Sequence, residues 1–295
     1  MYKCIKLIKK NLKYFRELNS KRTLFNSLNK DFFQVYDNCN FIQKMILRNK
    51  VKLIKNNVKY IGYIWTDIYN KNICYINAMN VLYGYNNMSS LPYKYLINTI
   101  KENCIIRYLC ENNDYNFKLL KSVGFEKKEG TLILYKELPE NMHFILNREL
   151  EFEMLQKGKD EGKRCEIQNK IFQEDNRVPL TLEDIFFDEV QDYYFEKGAV
   201  FLKKNNEYIG YGQFIIENGI PVIVNFGIIK EFRGKGYSKF LLMYILKLIH
   251  SNGFNKIIIK VKNSNYIALN LYKSVGFEVK KEQYYLELRH GDNDF

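Results

Sequence analysis

The chain has 295 residues and 35.4 kDa, with 46% hydrophobic and 27% charged residues, enough apolar matter for a sizeable core and too much for a disordered polymer. At roughly 150 residues per domain, that length suits two domains. The formal charge of +13 is local: residues 1–60 hold 15 Lys+Arg and 3 Asp+Glu, and the remainder hold 31 and 30, which disfavours a chain-wide nucleic-acid surface.

No run approaches the roughly 18 apolar residues of a membrane span. Lys3, Lys6, Lys9 and Lys10 interrupt the N-terminus, so it lacks a signal peptide's apolar stretch. A cytoplasmic protein without a membrane partner is expected. Abundant Lys, Asn, Ile and Tyr fit AT-rich codon usage, the bland account of the basic N-terminus; a patch for an acidic partner is the sharper one. Cys4, Cys39, Cys74, Cys104, Cys110 and Cys165 form no Cys-x-x-Cys pair, and His143, His250 and His290 are far apart. Free, mostly buried thiols are expected, without a metal site or disulfide framework.

In chain order, the first half shows an apolar run, a Lys55-Asn56-Asn57 break and a second run containing Tyr60-Ile61-Gly62-Tyr63, the pattern of a β-hairpin. Leu82–Tyr95 follows with Gly84, then Asn113–Phe125, which ends in Lys121-Ser122-Val123-Gly124-Phe125-Glu126. Leu138-Pro139-Glu140-Asn141 is the expected linker, since proline cannot extend a ladder. The pattern then returns. Lys204-Asn205-Asn206 and Tyr208-Ile209-Gly210-Tyr211 lie 149 and 148 residues after their first copies, and Lys273-Ser274-Val275-Gly276-Phe277-Glu278 lies 152 after its own. Three matches at nearly one offset indicate a duplication, with domains at 1–137 and 138–295.

The second copy carries strands at Val200–Lys203, Tyr208–Ile216 and Val222–Ile228, the last after an Asn218-Gly219 turn. Phe240, Leu241, Tyr244, Leu246 and Ile249 fall at helical spacing over Ser238–His250. Ile257–Ile259 reads as a buried strand, Tyr266–Ser274 as a short helix and Phe277–Leu288 as a last strand. An antiparallel meander followed by alternating helices and strands predicts a mixed α/β sheet.

Arg233-Gly234-Lys235-Gly236-Tyr237-Ser238 joins the third strand to the long helix. Its glycines can expose consecutive N–H groups, and the helix adds unpaired donors and a positive dipole end, which suits a phosphate. Lacking a third glycine, it is not a dinucleotide fingerprint. The loop resembles the acyl-CoA-binding Arg/Gln-x-x-Gly-x-Gly/Ala motif of GNAT (GCN5-related) N-acetyltransferases, with Ser238 where that family has Gly or Ala. Asn265-Tyr266-Ile267-Ala268-Leu269-Asn270-Leu271-Tyr272-Lys273-Ser274-Val275-Gly276-Phe277 resembles the family's Asn-x-x-Ala-x-x-Leu-Tyr-x-x-x-Gly-Phe segment. The resemblance spans roughly Phe144–Leu288.

The resemblance implies two tandem GNAT-like domains, each a mixed, mostly antiparallel sheet with flanking helices and splayed central parallel strands. It implies acetyl-CoA as cofactor. Backbone N–H groups from Gly234 to Ser238, through Lys235, Gly236 and Tyr237, would hold the pyrophosphate, with Arg233 beside it. Phe226, Gly227 and Ile228 would pair with the pantetheine arm, and an N–H near Ile228 would polarise the thioester carbonyl. Asn265 would bind the cofactor, and Tyr272 would be the general acid.

No base is assigned. Val222 and Lys260 stand where the family often has a glutamate, and Glu217 and Asn225 are the polar residues that could feed a water relay. In the first half Leu120 aligns with Tyr272 and Asn116 with Ala268, and Leu82–Tyr95 has no phosphate loop, so this copy is expected to be silent. Acetyl-CoA-dependent transfer to a primary amine, of a small molecule or a protein, is the leading expectation. A non-catalytic acyl-CoA-binding module is the alternative, and docking of the basic half on nucleic acid or an anionic membrane is the weakest.

Overall fold

The computed structural model describes residues 1–70, 72–82, 89–101, 103–140, 147, 149–174 and 177–291. Gly84, Asn141, His143 and Phe144 lie outside these. In chain order the elements are Tyr2–Lys6 (β1), Leu12–Ser20 (α1), Phe32–Tyr36 (α2), Phe41–Asn49 (α3), Val51–Asn56 (β2), Lys59–Asn70 (β3), Ile73–Val81 (β4), Leu91–Ile97 (α4), Cys104–Glu111 (β5), Tyr115–Ser122 (α5) and Glu126–Glu137 (β6). The second series is Leu150–Met154 (β7), Glu161–Ile171 (α6), Leu182–Glu189 (α7), Ala199–Lys204 (β8), Glu207–Glu217 (β9), Ile220–Ile228 (β10), Tyr237–Ser251 (α8), Lys256–Lys262 (β11), Tyr266–Ser274 (α9) and Glu278–His290 (β12).

The duplication is written into the backbone. Gly62 of β3 faces Val81 of β4, and a Cβ there would meet Asn80 O at 2.5 Å; Gly210 of β9 faces Ile228 of β10, and its Cβ would meet Ile228 Cδ1 at 2.6 Å. Each Tyr-Ile-Gly-Tyr therefore marks a close approach of two strands, against backbone at Gly62 and against the Ile228 side chain at Gly210. Both hairpins also carry the same bulge, with Ile61 of β3 the extra residue opposite Ile54 and Lys55, and Ile209 of β9 the extra residue opposite Leu202 and Lys203. Asn57 (φ 52°) opens the first turn, and Asn205 (φ 49°) and Asn206 (φ 65°) form the second, where asparagine tolerates the left-handed region.

The Val-Gly-Phe repeat is a helix stop. Gly124 (φ 101°) and Gly276 (φ 87°) end α5 and α9, and the amides of Phe125 and Phe277 return to the carbonyls of Leu120 and Tyr272 at 3.0 and 3.1 Å. A left-handed glycine with the next apolar residue buried is the usual way to close a helix. The starts match as well: Asn113 Oδ1 accepts from Asn116 N at 2.8 Å, and Asn265 Oδ1 accepts from Ala268 N at 3.1 Å.

Two compact units result, Met1–Thr131 with Lys281–Phe295, and Leu132–Lys280. These differ from a division at 137/138, because the last strand of each half is built into the other unit. β12 pairs antiparallel with β5 from Gln283↔Glu111 to His290↔Cys104, and its Leu286 and Leu288 are buried in the first unit's core. The second half of β6 instead buries Leu132 and Leu134 in the second unit's core, beside β11. Leu138, expected in a linker, is 7% exposed, belongs to the same core and donates its amide to Asn255 O.

In the second unit β7, β8, β9 and β10 form an antiparallel meander and β11 joins β10 in parallel. Leu241, Leu242, Ile245, Leu246 and Ile249 turn one side of α8 into the core. The first unit repeats the scheme with β1 to β4 antiparallel and β5 parallel to β4. The six cysteines are free; Cys74 and Cys110 are buried and the other four half-buried, a less complete burial than expected. Among the described residues no helix is long and apolar enough to cross a membrane.

Candidate active site

β10 pairs with β9 along its whole length but with β11 only at Val222↔Ile258 and Ile223↔Ile259. The strands part at Asn225, whose φ of 50° sits in a bulge between Val224 and Gly227. A bulge bends the strand that carries it. The gap is a cavity of about 240 Å³ whose walls include Phe226, Asn225, Lys260, Asn265 and Tyr272.

Beyond the bulge the ladder decides which amides are spare. Ile229 N–H donates to Ile209 O at 2.8 Å, and Gly227 faces Tyr211. Antiparallel hydrogen bonding alternates residue by residue, so Ile228 points its N–H and C=O away from β9, towards the side that β11 has left. Its carbonyl accepts from Arg233 Nε at 2.8 Å; its N–H is left as a donor at the cleft's edge. Gly227 is needed for a different reason from its place in the bulge. A Cβ there would lie 2.3 Å from Ile171 Cγ2, so the end of α6 packs directly on this backbone.

Gly234 (φ 77°) and Gly236 (φ 80°) both take the left-handed region, and Gly236 is the N-cap of α8 with no side chain capping the first turn. The donors of Tyr237 and Ser238 thus crown an uncapped 15-residue helix, a ready anion site. Arg233 does not extend along the loop. Its guanidinium donates to Ile228 O and, at 2.6 Å, to Ile171 O, tying the end of β10 to the end of α6. Lys235 is exposed beside Glu231 O at 3.4 Å. The Tyr237 ring is buried, with its hydroxyl accepting from Lys204 Nζ at 2.6 Å, so only its backbone serves the loop.

Tyr272 is 6% exposed, and burial pushes its phenol up to about 12. Its ring lies 6.2 Å from that of Phe226 and 6.0 Å from that of Phe277, and its hydroxyl has no hydrogen-bond partner among the described residues while lining the cleft. Asn265, which lines the cavity, uses its carbonyl oxygen to cap α9. Glu217 is held in an ion pair with Lys260 at 2.6 Å, and Val222 is buried in the core at 2% exposure. Asn225 Nδ2 donates to Gln213 Oε1 at 3.4 Å, which also accepts from Tyr211 OH and Arg164 at 3.1 Å. Arg164, 1% exposed, bridges Asp188 and Glu189 and so braces the bulge from behind.

Residues absent from the sequence motifs complete the cleft. Phe172 and Arg177 line it from the segment after α6, brought there by packing that no spacing encodes. The first unit's counterpart is filled by its own chain. Asn29 donates to Met79 O at 3.0 Å and accepts from Met79 N and Tyr108 OH, binding the backbone of β4; Asn26 donates to Leu109 O at 2.9 Å and accepts from Glu111 N, binding β5. Phe25 lies 2% exposed alongside, its carbonyl accepting from Asn113 and Asn116. Leu120, at the position of Tyr272, is fully buried.

Residues 165–277 match the model of the acetyltransferase (GNAT) family. A mycothiol acetyltransferase of Amycolatopsis mediterranei (strain U-32) is 27% identical over 176 residues, 54% of this chain and 57% of that relative, so the match spans little over half its length. By structure the chain is similar to a GCN5-related N-acetyltransferase from Sphaerobacter thermophilus (TM-score 0.57, 12% identity, 100% of this chain and 98% of that one). It is also similar to a GNAT-family acetyltransferase from Colwellia psychrerythraea (TM-score 0.53, 11% identity, 98% and 99%). The two structural likenesses concern the fold, while the sequence match spans the splayed strands, the glycine loop and Tyr272 together. Within the second unit, residues 165–277 are thus similar to the GNAT acetyltransferases in sequence, and the chain as a whole is similar to them in fold.

Proposed function

We propose that the second unit is an acetyl-CoA-dependent N-acetyltransferase acting on a primary amine. The observation that carries the reading is the cleft between β10 and β11, which the unpartnered phenol of Tyr272 lines beside the edge of β10 that β11 leaves unpaired. The fit is chemical: the uncapped α8 N-terminus and the left-handed glycines offer donors to a diphosphate, and the unladdered edge of β10 offers a strand partner to an extended amide-bearing arm. Acetyl-CoA, when bound, supplies the activated thioester. Ile228 N–H would donate to the thioester carbonyl oxygen and stabilise the charge developing there, and Phe226 and Tyr272 line the cleft. The amine nitrogen forms the new C–N bond as the C–S bond breaks, and its proton leaves to solvent.

Tyr272 would offer its O–H to the departing sulfur. A phenol near 12 is about 3.5 units above a thiol near 8.5, so full proton transfer would run uphill by about 5 kcal/mol, an order-of-magnitude figure. The phenol therefore works as a hydrogen-bond donor that delivers its proton only as thiolate character builds, a more modest role than a free acid. The first unit, with its cleft filled, supports rather than catalyses. Six free thiols agree with a cytoplasmic setting. The test is acetyl-CoA turnover with a panel of small-molecule and peptide amines. Tight acetyl-CoA binding with no turnover on any acceptor would favour the alternative, a non-catalytic acyl-CoA-binding module.

A further inference from the structure

We propose that the first unit binds a small polyphosphorylated ligand in the groove along α1 and the β2–β3 turn. The groove encloses about 840 Å³, within the range of small-molecule sites. Lys10, Lys13 and Lys21 enter it from the α1 side and Lys55 and Lys59 from the hairpin, against one carboxylate, Glu17. The lysines come from separate stretches of chain, so folding gathers them. The ion pairs of this unit engage Arg16, Arg22, Lys50, Arg107, Lys128 and Lys281; among the described residues none of the five groove lysines has one.

Two of them are held in place without being neutralised. Tyr14 and Tyr60 stack at 4.6 Å and 17°, with Lys13 over one ring at 4.9 Å and Lys55 over the other at 4.2 Å. Cation–π contacts fix an ammonium while preserving its charge. Apolar walls at Ile5, Leu18 and Ile61 lower the local dielectric and strengthen both the repulsion among the lysines and their pull on an anion.

Lysine-rich composition does not account for this, because the duplication supplies an internal control. The counterpart groove of the second unit, about 1010 Å³, is bounded by α6 and the β8–β9 turn. There Asn206-Glu207-Tyr208 replace Val58-Lys59-Tyr60, and Lys163, Lys170, Lys230 and Arg233 are balanced by Glu166, Glu174, Glu207 and Glu231. One position in the fold is neutral in one copy and carries a net charge of about +4 in the other. Several charges in a groove of small-molecule size match a di- or triphosphate better than a single carboxylate, and the confined volume favours a small ligand over a macromolecule. The site is separate from the first unit's cleft, which Asn26 and Asn29 occupy.

Calorimetric titration of the full chain with sodium tripolyphosphate tests this, with wild type, Lys13→Glu/Lys59→Glu and Gly236→Val compared. The last disables the second unit's anion loop, so the result does not depend on the acetyltransferase reading. Saturable binding that falls at least tenfold in the lysine variant, persists in Gly236→Val and weakens with salt is expected. Three results would overturn the proposal: no saturable binding, loss in Gly236→Val alone, or equally tight binding of a polyglutamate peptide of the same charge.

Discussion

The two units hold the same pair of central strands and treat the space between them in opposite ways. In the second, β10 and β11 pair at only two positions, and the gap behind the Asn225 bulge is left to Phe226, Asn265 and Tyr272. In the first, β4 and β5 keep four parallel pairs, Ile73↔Ile105 to Ile76↔Tyr108, and the gap beyond is closed by Asn26 and Asn29. A splayed pair of strands exposes main-chain donors and acceptors that must be satisfied. One copy satisfies them with asparagine side chains from its own chain. The other leaves them open along the cleft. The first copy thus differs by more than the leucine in place of a tyrosine: its strand edges have found internal partners.

That contrast can be broken at several points. The largest effect is expected from Tyr272→Phe, which keeps the ring and its packing and removes only the donor: kcat should fall by about 10²-fold, the low end of general-acid catalysis, with melting temperature nearly unchanged, read by steady-state kinetics and calorimetry. An unchanged kcat would remove the phenol from the mechanism. Gly236→Val comes next. With acetyl-CoA at a hundred times its Kd, wild type should gain about 2.7 kcal/mol of stability and the variant almost none, as measured by denaturant titration with and without cofactor.

Asn29→Ala addresses the other copy. It removes the Asn29 partner of the Tyr108 hydroxyl, of both polar groups of Met79 and of the Arg22 carbonyl, so stability should fall by about 3 kcal/mol or more at roughly 1–3 per lost partner, while acetyl-CoA affinity holds. A matching loss of affinity would mean that the two clefts are energetically coupled. Smaller still is the cap pair: Asn113→Ala and Asn265→Ala should each cost about 1 kcal/mol, but only the second should weaken acetyl-CoA binding.

A pH series sharpens the assignment of the phenol. Burial raises the folded-state value of Tyr272 from 10.0 to about 12, so the folded protein holds that proton more tightly than the unfolded chain does. The associated stability is present in full below pH 10 and is lost as pH rises through about 12. The Tyr272→Phe variant should lose this alkaline decline, seen in the difference between the two proteins' stability profiles above pH 10.

Much of the site was legible because its parts are local. Asn265 and Gly276 cap and stop one short helix, which carries Tyr272 in its last turn. The glycine loop likewise needs only its own residues to reach the left-handed region. Side-chain destinations were less legible. Arg233 sits in the loop motif, yet its guanidinium goes to the carbonyls of Ile228 and Ile171, and Ile171 lies 62 residues away in the chain. Glu217 could be read as a relay residue only until Lys260 was found beside it.

By itself the sequence determined the duplication, the hairpins, the helix caps and the motif helix, since each depends on torsional preferences and contacts within a few residues. The tertiary structure alone decided which unit receives each last strand, how the first cleft is filled, and where five lysines converge. β6 and β12 follow the same Val-Gly-Phe-Glu stop and present similar apolar faces, so local energetics cannot tell one unit from the other. Only the packing of Leu286 and Leu288 in one core, and of Leu132 and Leu134 in the other, makes the choice.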